Sequence, residues 1–265
     1  ALVRRAGARV GAEGARVMAE NSKIEWTHHT FNPWIGCTKV SPACDNCYAE
    51  VLSKRYGWAE WGNHPRRLTS ESTWRQPEKW NRAAEKAGVR ARVFCASLAD
   101  VFDNQVEPAW RRSLFGLIDR TPWLDWLLLT KRPQNIAKLM PPNFVESKIW
   151  DGSVVAETLG VRSNVWLGTT VENQDEANKR IPSLLSVPAG VHFLSMEPLL
   201  GRVRLPEQDT YRFPIDWVIV GGESGSNARP SDPHWFRDIR DQCRAASVPF
   251  FFKQMTKKAA IPDEF

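Results

Sequence analysis

The sequence predicts an α/β fold: a parallel (β/α) barrel, partial, with six to seven βα units and a Trp/Arg-rich insertion after the first helix. Three observations carry this. Short apolar runs recur along the chain, as strands buried on both faces require. Segments with apolar residues at helical spacing lie between them, which makes βαβ units and a parallel sheet. Nearly every run ends in polar or small residues, and in such folds the chemistry gathers at the carboxyl ends of the strands. An open doubly wound sheet is the alternative.

In chain order, FNPWIGC (31–37) is expected as the first strand, followed by a loop and a helix from about Tyr48 to Tyr56. Residues 57–90 are the least regular stretch. Trp58, Trp61, Trp74 and Trp80 stand there among Arg, Lys and His. This is the expected insertion, and interleaved aromatic and basic side chains suit base stacking with phosphate contact. A solvated flap whose tryptophans pack on the barrel is the plainer reading. Next come ARVFCASLAD (91–100) as a strand and PAWRRSLFGLIDRT (108–121) as a helix. LDWLLLTKRP (124–133) and SNVWLGTTVEN (163–173) are strands, then NQDEANKRIPSLLSV (173–187) is a helix. GVHFLSMEPLL (190–200) and IDWVIVGGESG (215–225) are strands. In DPHWFRDIRDQCRAAS (232–247), Asp232 is the expected N-cap and Pro233 suits the first helical position. VPFFFKQM (248–255) is the last strand.

The strand ends carry Ser97 and Asp100; Thr130, Lys131 and Arg132; Thr169, Thr170, Glu172 and Asn173. Ser195 and Glu197 follow, then Gly221, Gly222, Glu223 and Ser224, then Lys253 and Gln254. Helix capping also favours Ser, Thr, Asn and Asp, but a structural barrel has no need of polar residues at every strand end.

The chain has 265 residues, with 36 Lys+Arg, 30 Asp+Glu and a net charge of +6. Half of that charge belongs to residues 1–17, which hold four arginines and one glutamate, leaving +3 for the rest. That segment, preceding Met18, reads as a disordered N-terminal extension or leader, and residues 18–265 as a single barrel domain. The composition excludes a disordered chain and a coiled coil. No apolar run approaches the ~20 residues that span a bilayer. The cytoplasm is the expected location, with no membrane partner.

Five cysteines are present, and Cys37, Cys44 and Cys47 fall in one loop with C-x6-C-x2-C spacing. An odd number with three so close argues against a disulfide scaffold. Three thiolates in one loop predict a metal site. A structural zinc ion needs a fourth protein ligand, for which His28 or His29 is the candidate. A [4Fe–4S] cluster held by only three thiolates leaves one iron open to a substrate or cofactor. Two further readings stand beside the cluster enzyme. One is a non-catalytic nucleic-acid-binding protein with structural zinc or a cluster at these cysteines. The other is a hydrolase using Glu172, Glu197 and Glu223 as paired carboxylates.

The cysteine loop resembles the cluster loop of the radical SAM superfamily, with three extra residues in its first gap. Asn46 stands where the superfamily's aromatic residue precedes the third cysteine, and Tyr48 follows Cys47 instead. More closely, the chain resembles a phage- and prophage-associated three-cysteine-motif family of radical-SAM-like proteins. NPWIGCTKVSPACDNCYAE, WLLLTKRPQN, WLGTTVENQ, FLSMEPLLG, WVIVGGESG and FFFKQM carry the likeness.

The resemblance implies that Cys37, Cys44 and Cys47 bind three irons of a [4Fe–4S] cluster and that S-adenosylmethionine takes the fourth. An external one-electron donor would drive its cleavage to a 5′-deoxyadenosyl radical. On this basis Tyr48, Ser97, Asp100, Thr170, Ser195, Gly221, Gly222 and Glu223 are expected to bind the cofactor. Glu172, Glu197, Lys131 and Lys253 are expected to be catalytic. Ser97 and Asp100 would meet the methionine end, and Thr170 and Glu172 the ribose. Lys131, Arg132 and Lys253 would neutralise a carboxylate or phosphate. Nucleic acid is the leading substrate class, for repair or base modification.

Overall fold

In the computed structural model every apolar run but the first becomes one strand of a single sheet. The first sheet strand is His29–Phe31 rather than 31–37, because Trp34–Ile35 turns aside to pair with Arg67–Leu68. The structure describes residues 20–141, 149, 150, 153, 154 and 162–265, so the expected leader (1–17) lies outside the described residues. The strands are β1 (His29–Phe31), β2 (Ala91–Cys95), β3 (Leu124–Thr130) and β4 (Val165–Thr170). β5 (Val191–Met196), β6 (Trp217–Gly221) and β7 (Phe250–Gln254) complete the sheet. All neighbours pair in parallel and in chain order, from β1 at one edge to β7 at the other. Successive crossovers on one side curl such a sheet into a half-barrel.

The helices are α1 (Tyr48–Tyr56), α2 (Gln76–Ala87), α3 (Pro108–Asp119), α4 (Gln174–Leu184) and α5 (Pro233–Ala245). α2 packs on β2 and β3, α4 on β4, and α5 on β6 and β7. Local chemistry sets their ends. Asn173 caps α4 by accepting from Glu176 N at 3.0 Å, and Asp232 caps α5 by accepting from His234 N at 2.8 Å. Gly57 closes α1 with φ +61°, a conformation that side chains with a Cβ resist. Among the described residues no helix is long and apolar enough to cross a membrane.

The stretch expected as an insertion differs in part from that expectation. Arg67–Leu68 pairs antiparallel with Trp34–Ile35, but from Gln76 onward the stretch is α2, the crossover helix leading into β2. Its buried face is Pro77, Trp80 and Ala84, one helical turn apart.

Alternation along each strand separates two apolar layers. Val93, Cys95, Trp126, Leu128, Leu194, Val218 and Val220 face the helices and join Leu114, Ile118, Leu184 and Phe236 in the main core. Phe94, Leu127, Phe193 and Ile219 point to the concave side, where Trp26 joins them, 4.7 Å from Phe94. At Gly168 a Cβ would lie 2.3 Å from the Phe193 ring, so the concave floor closes only because that side chain is missing.

His29 stacks on Trp80 with centroids 4.4 Å apart, and its buried Nδ1 has no protein partner. Burial first, then neighbouring His28, lowers its pKa from the ordinary 6.5 to about 4. The unfolded chain therefore takes up this proton at a higher pH than the folded one. Stability from this group is intact above pH 6.5 and is lost as pH falls toward 4. His29→Phe, which keeps a ring against Trp80, is expected to flatten urea-derived stability across that window. An acid slope unchanged from the parent would assign the proton uptake elsewhere.

Candidate functional site

The carboxyl ends of the strands open into a cleft of about 650 Å³, and Cys37, Cys44 and Cys47 all line it. Gly36 delivers the chain to Cys37 with φ +114°, and a Cβ there would meet Arg66 Cδ at 3.1 Å. The loop then makes one tight turn, Pro42–Cys44, and enters α1 directly from Cys47. All three thiols are free, Cys44 being buried and the other two half-buried. Burial chiefly, then Asp100, pushes the Cys37 thiol up to about 11, against the opposing pull of Arg132, whose Nη1 lies 3.6 Å from the sulfur.

Three thiols from one loop can serve a single ion or a cluster, and the two make different demands. Zinc draws its sulfurs to within about 2.3 Å of one point, whereas a cluster gives each thiolate its own iron. Among the described residues, no three His, Cys, Asp or Glu side chains are gathered as a single ion requires. His28 and His29 do not reach the cleft: His28 Nδ1 accepts from Arg92 N at 2.8 Å, and His29 lies on Trp80. Two buried polar atoms at the cleft, Thr170 Oγ1 and Glu197 Oε1, have no protein partner. Buried polar atoms are rarely left so, and both suit a ligand that donates hydrogen bonds.

Besides the three cysteines, eight of the twelve residues expected to bind the cofactor or act in catalysis line this cleft. Tyr48 Oη donates to the Ser97 carbonyl at 2.8 Å, and burial raises the phenol's pKa. Ser97 Oγ accepts from Asn32 Nδ2 at 3.0 Å. Lys131 follows β3, while Thr170 and Ser195 follow the inward-facing positions of β4 and β5. Glu197 Oε2 accepts from Lys253 Nζ at 2.7 Å, and Oε1 is buried beside Gly221 without a protein partner. Asp100 also borders the cleft, but its carboxylate is engaged. It accepts from Thr130 Oγ1 (2.7 Å), Phe102 N (2.9 Å), Lys131 N (3.1 Å) and Arg132 Nη1 (3.0 Å). It therefore fixes Arg132 rather than offering an acceptor to the methionine end of a ligand.

The other four lie behind the cleft wall. Glu172 is fully buried, with Oε2 on Arg180 Nη1 at 2.8 Å and Oε1 accepting from Ala43 N at 3.2 Å. Expected as a catalytic or ribose-binding carboxylate, it is a brace on the cysteine loop. Glu223 accepts from Asn46 Nδ2 at 3.0 Å and from Arg229 N at 2.7 Å. Burial alone would raise its carboxyl, but the Arg229 and Asn46 hydrogen bonds outweigh it and hold the pKa below the usual range. Gly221 leaves room for Glu197, since a Cβ there would stand 3.1 Å from Oε1. At Gly222 a Cβ would lie 2.3 Å from Thr256 N, so this glycine admits the C-terminal segment rather than a ligand. Of the three glutamates of the hydrolase reading, only Glu197 reaches the cleft, so no carboxylate pair is assembled.

Sequence reasoning missed Arg180 and Arg229. Arg180 left one signal: it occupies the buried face of α4 with Ala177, Ile181 and Leu184, where an arginine without a partner is costly. Arg229 sits in a loop and left none. The tryptophans divide between roles. Trp34 and Trp126 are fully buried core, Trp26 and Trp61 line the cleft, and Trp58 packs near α1.

The family model described as Protein of unknown function (DUF5131) matches residues 21–261. No curated protein matches the chain. Among solved structures, a double mutant of spore photoproduct lyase with bound AdoMet and dinucleoside spore photoproduct matches at 11% identity and a TM-score of 0.46. The match covers 86% of this chain and 64% of that one.

Proposed function

We propose, from the premise that the chain belongs to the DUF5131 family, that it is an iron–sulfur enzyme of the radical SAM type. The observation that carries this reading is the cleft itself. Three thiols from one loop face it beside two buried polar atoms that have no protein partner. Cys37, Cys44 and Cys47 would hold the cluster. With one electron from an external donor, the bound cluster would supply reductive cleavage of S-adenosylmethionine to methionine and a 5′-deoxyadenosyl radical able to abstract hydrogen from a substrate.

The chain's own residues bind, orient and shield. Glu197 Oε1 and Thr170 Oγ1 accept hydrogen bonds from the cofactor's donors. Lys253 holds the Glu197 carboxylate in place through a 2.7 Å ion pair. Lys131 offers a positive charge at the mouth for a carboxylate or phosphate. Trp26, Phe94 and Leu129 form an apolar floor that keeps water from a reactive intermediate.

For the substrate we favour nucleic acid. Tyr56 and Trp58 stack at 5.0 Å beside exposed Arg55 and Arg67, an arrangement suited to stacking a base and meeting its phosphate. The test is to load iron and sulfide anaerobically, add S-adenosylmethionine and dithionite, and quantify 5′-deoxyadenosine with and without single-stranded oligonucleotides. The reading expects 5′-deoxyadenosine from the protein alone and more of it with oligonucleotide. Tightly held zinc and no cleavage would leave the zinc-stabilised binding protein as the better account. Cleavage that no oligonucleotide alters would remove nucleic acid as substrate.

A further inference from the structure

The cysteine loop has little structure of its own. Its internal backbone bonds are those of one turn, Cys44 N to Ser41 O at 2.9 Å and Asp45 N to Pro42 O at 3.1 Å. At its start it is tied to the segment that follows α1, Gly62 N donating to the Cys37 carbonyl at 2.9 Å and Arg66, paired with Asp103, donating to Thr38 Oγ1 at 2.8 Å. Beyond that, three distant strand ends each reach it through an ion pair. After β3, Arg132 is held by Asp100 and donates from Nη2 to the Thr38 carbonyl at 2.8 Å. After β4, Glu172 is held by Arg180 and accepts from Ala43 N. After β6, Glu223 holds Arg229, which donates to the Pro42 carbonyl at 2.9 Å and to Asp45 Oδ2 at 3.1 Å. Asn46 closes this last junction from the loop side.

The three carboxylates and Arg132 and Arg180 are almost fully buried. Such pairs are costly to desolvate and give little net stability compared with apolar packing. What they supply is direction, because charge-assisted hydrogen bonds fix geometry. All three converge on the one loop that carries the thiols.

We propose that these ion pairs form a three-point clamp that sets the cysteine loop in its cluster-accepting shape before any cluster enters. Arg132, Glu172 and Arg229 are then positioning residues, and the loop is shaped only when β3, β4 and β6 have joined the sheet. Cluster loading would follow barrel assembly. The proposal rests on the cluster reading above for its iron measurement alone.

The test uses the full chain without iron. Arg229→Ala removes the most exposed member of the clamp, and Asn46→Ala opens the same junction from the loop side without touching the barrel. Amide exchange at Ala43, Cys44 and Asp45 is expected to quicken on the order of tenfold in both, the scale of a lost hydrogen bond to a charged group. Amides of β2 to β6 should keep their parental rates, which a merely destabilised barrel would not allow. Iron taken up under limiting supply should fall about tenfold, as for loss of a partner that orients a ligand. Parental exchange at the three loop amides in the folded variants would overturn the clamp. Failure of the parent to take up iron would overturn the cluster reading instead, with the exchange result still deciding the clamp.

Discussion

Cys44→Ala is expected to take up no intact cluster and to form no 5′-deoxyadenosine, while melting close to the parent temperature. Cys44 is the buried thiol of the three and ends the loop's single turn, which fixes its place in the loop. Cys95 and Cys243 are the other cysteines, and both are buried under the helices. Burial raises both thiols, Cys243 to about 12, which leaves them poor ligands. Losing a group that only orients a ligand costs about 10–100-fold in affinity, and loss of the ligand itself should exceed that. Stability should change little, because the turn is clamped through Ala43, Pro42 and Asp45 rather than through the thiol. Iron content and 5′-deoxyadenosine measured beside the melting curve decide this. Parental iron in Cys44→Ala would show that the cluster, if any, is held elsewhere.

Trp126→Ala is expected to be the most damaging single truncation in the sheet. Trp126 is fully buried at the start of β3, between Val93 on β2 and Val165 on β4. Its ring meets Phe31 of β1 edge-on at 5.6 Å, and its Nε1 donates to Thr121 Oγ1 at 3.0 Å. One side chain thus joins β1 and β3 to the turn after α3. Truncating a buried aromatic costs about 3–5 kcal/mol, a large share of the roughly 5–15 kcal/mol that holds a domain folded. At about 2–4 °C per kcal/mol the melting temperature should fall on the order of 10 °C. Trp126→Phe should lose much less, because Thr121 Oγ1 keeps its bond to the Leu117 carbonyl at 2.7 Å. Urea unfolding of the three proteins is the measurement. A loss below about 1 kcal/mol in Trp126→Ala would mean that the core does not depend on this contact.

The strands, the cysteine loop and α1 were legible because each follows from local chemistry. Apolar runs flanked by polar residues have few other folded uses, and Tyr48–Tyr56 is bounded by Cys47 and Gly57. Within the strands, alternation also told which way residues face. Thr170 shares the inner face with Trp166 and Gly168, and Ser195 shares it with Phe193. Beyond the last strand residue that parity lapses. Glu172 and Glu223 look in sequence like Glu197, yet the first two turn away from the cleft to meet Arg180 and Arg229. The pairing of those strand ends with a loop far earlier in the chain has no local signal. The expected insertion (57–90) took in the crossover helix from Gln76 onward for a related reason. A helix rich in Arg, Lys and Glu hides its short apolar stripe, Trp80 and Ala84, among polar neighbours.

The central claim is that three thiols in this cleft hold a [4Fe–4S] cluster with one iron open to S-adenosylmethionine. The most direct measurement is electron paramagnetic resonance of the anaerobically loaded, dithionite-reduced protein, before and after S-adenosylmethionine, with iron counted on the same sample. The account predicts about four irons per chain and a cluster signal whose g-values shift when S-adenosylmethionine binds the open iron. A zinc-filled protein without the signal, or a cluster signal that S-adenosylmethionine leaves unchanged, would contradict it.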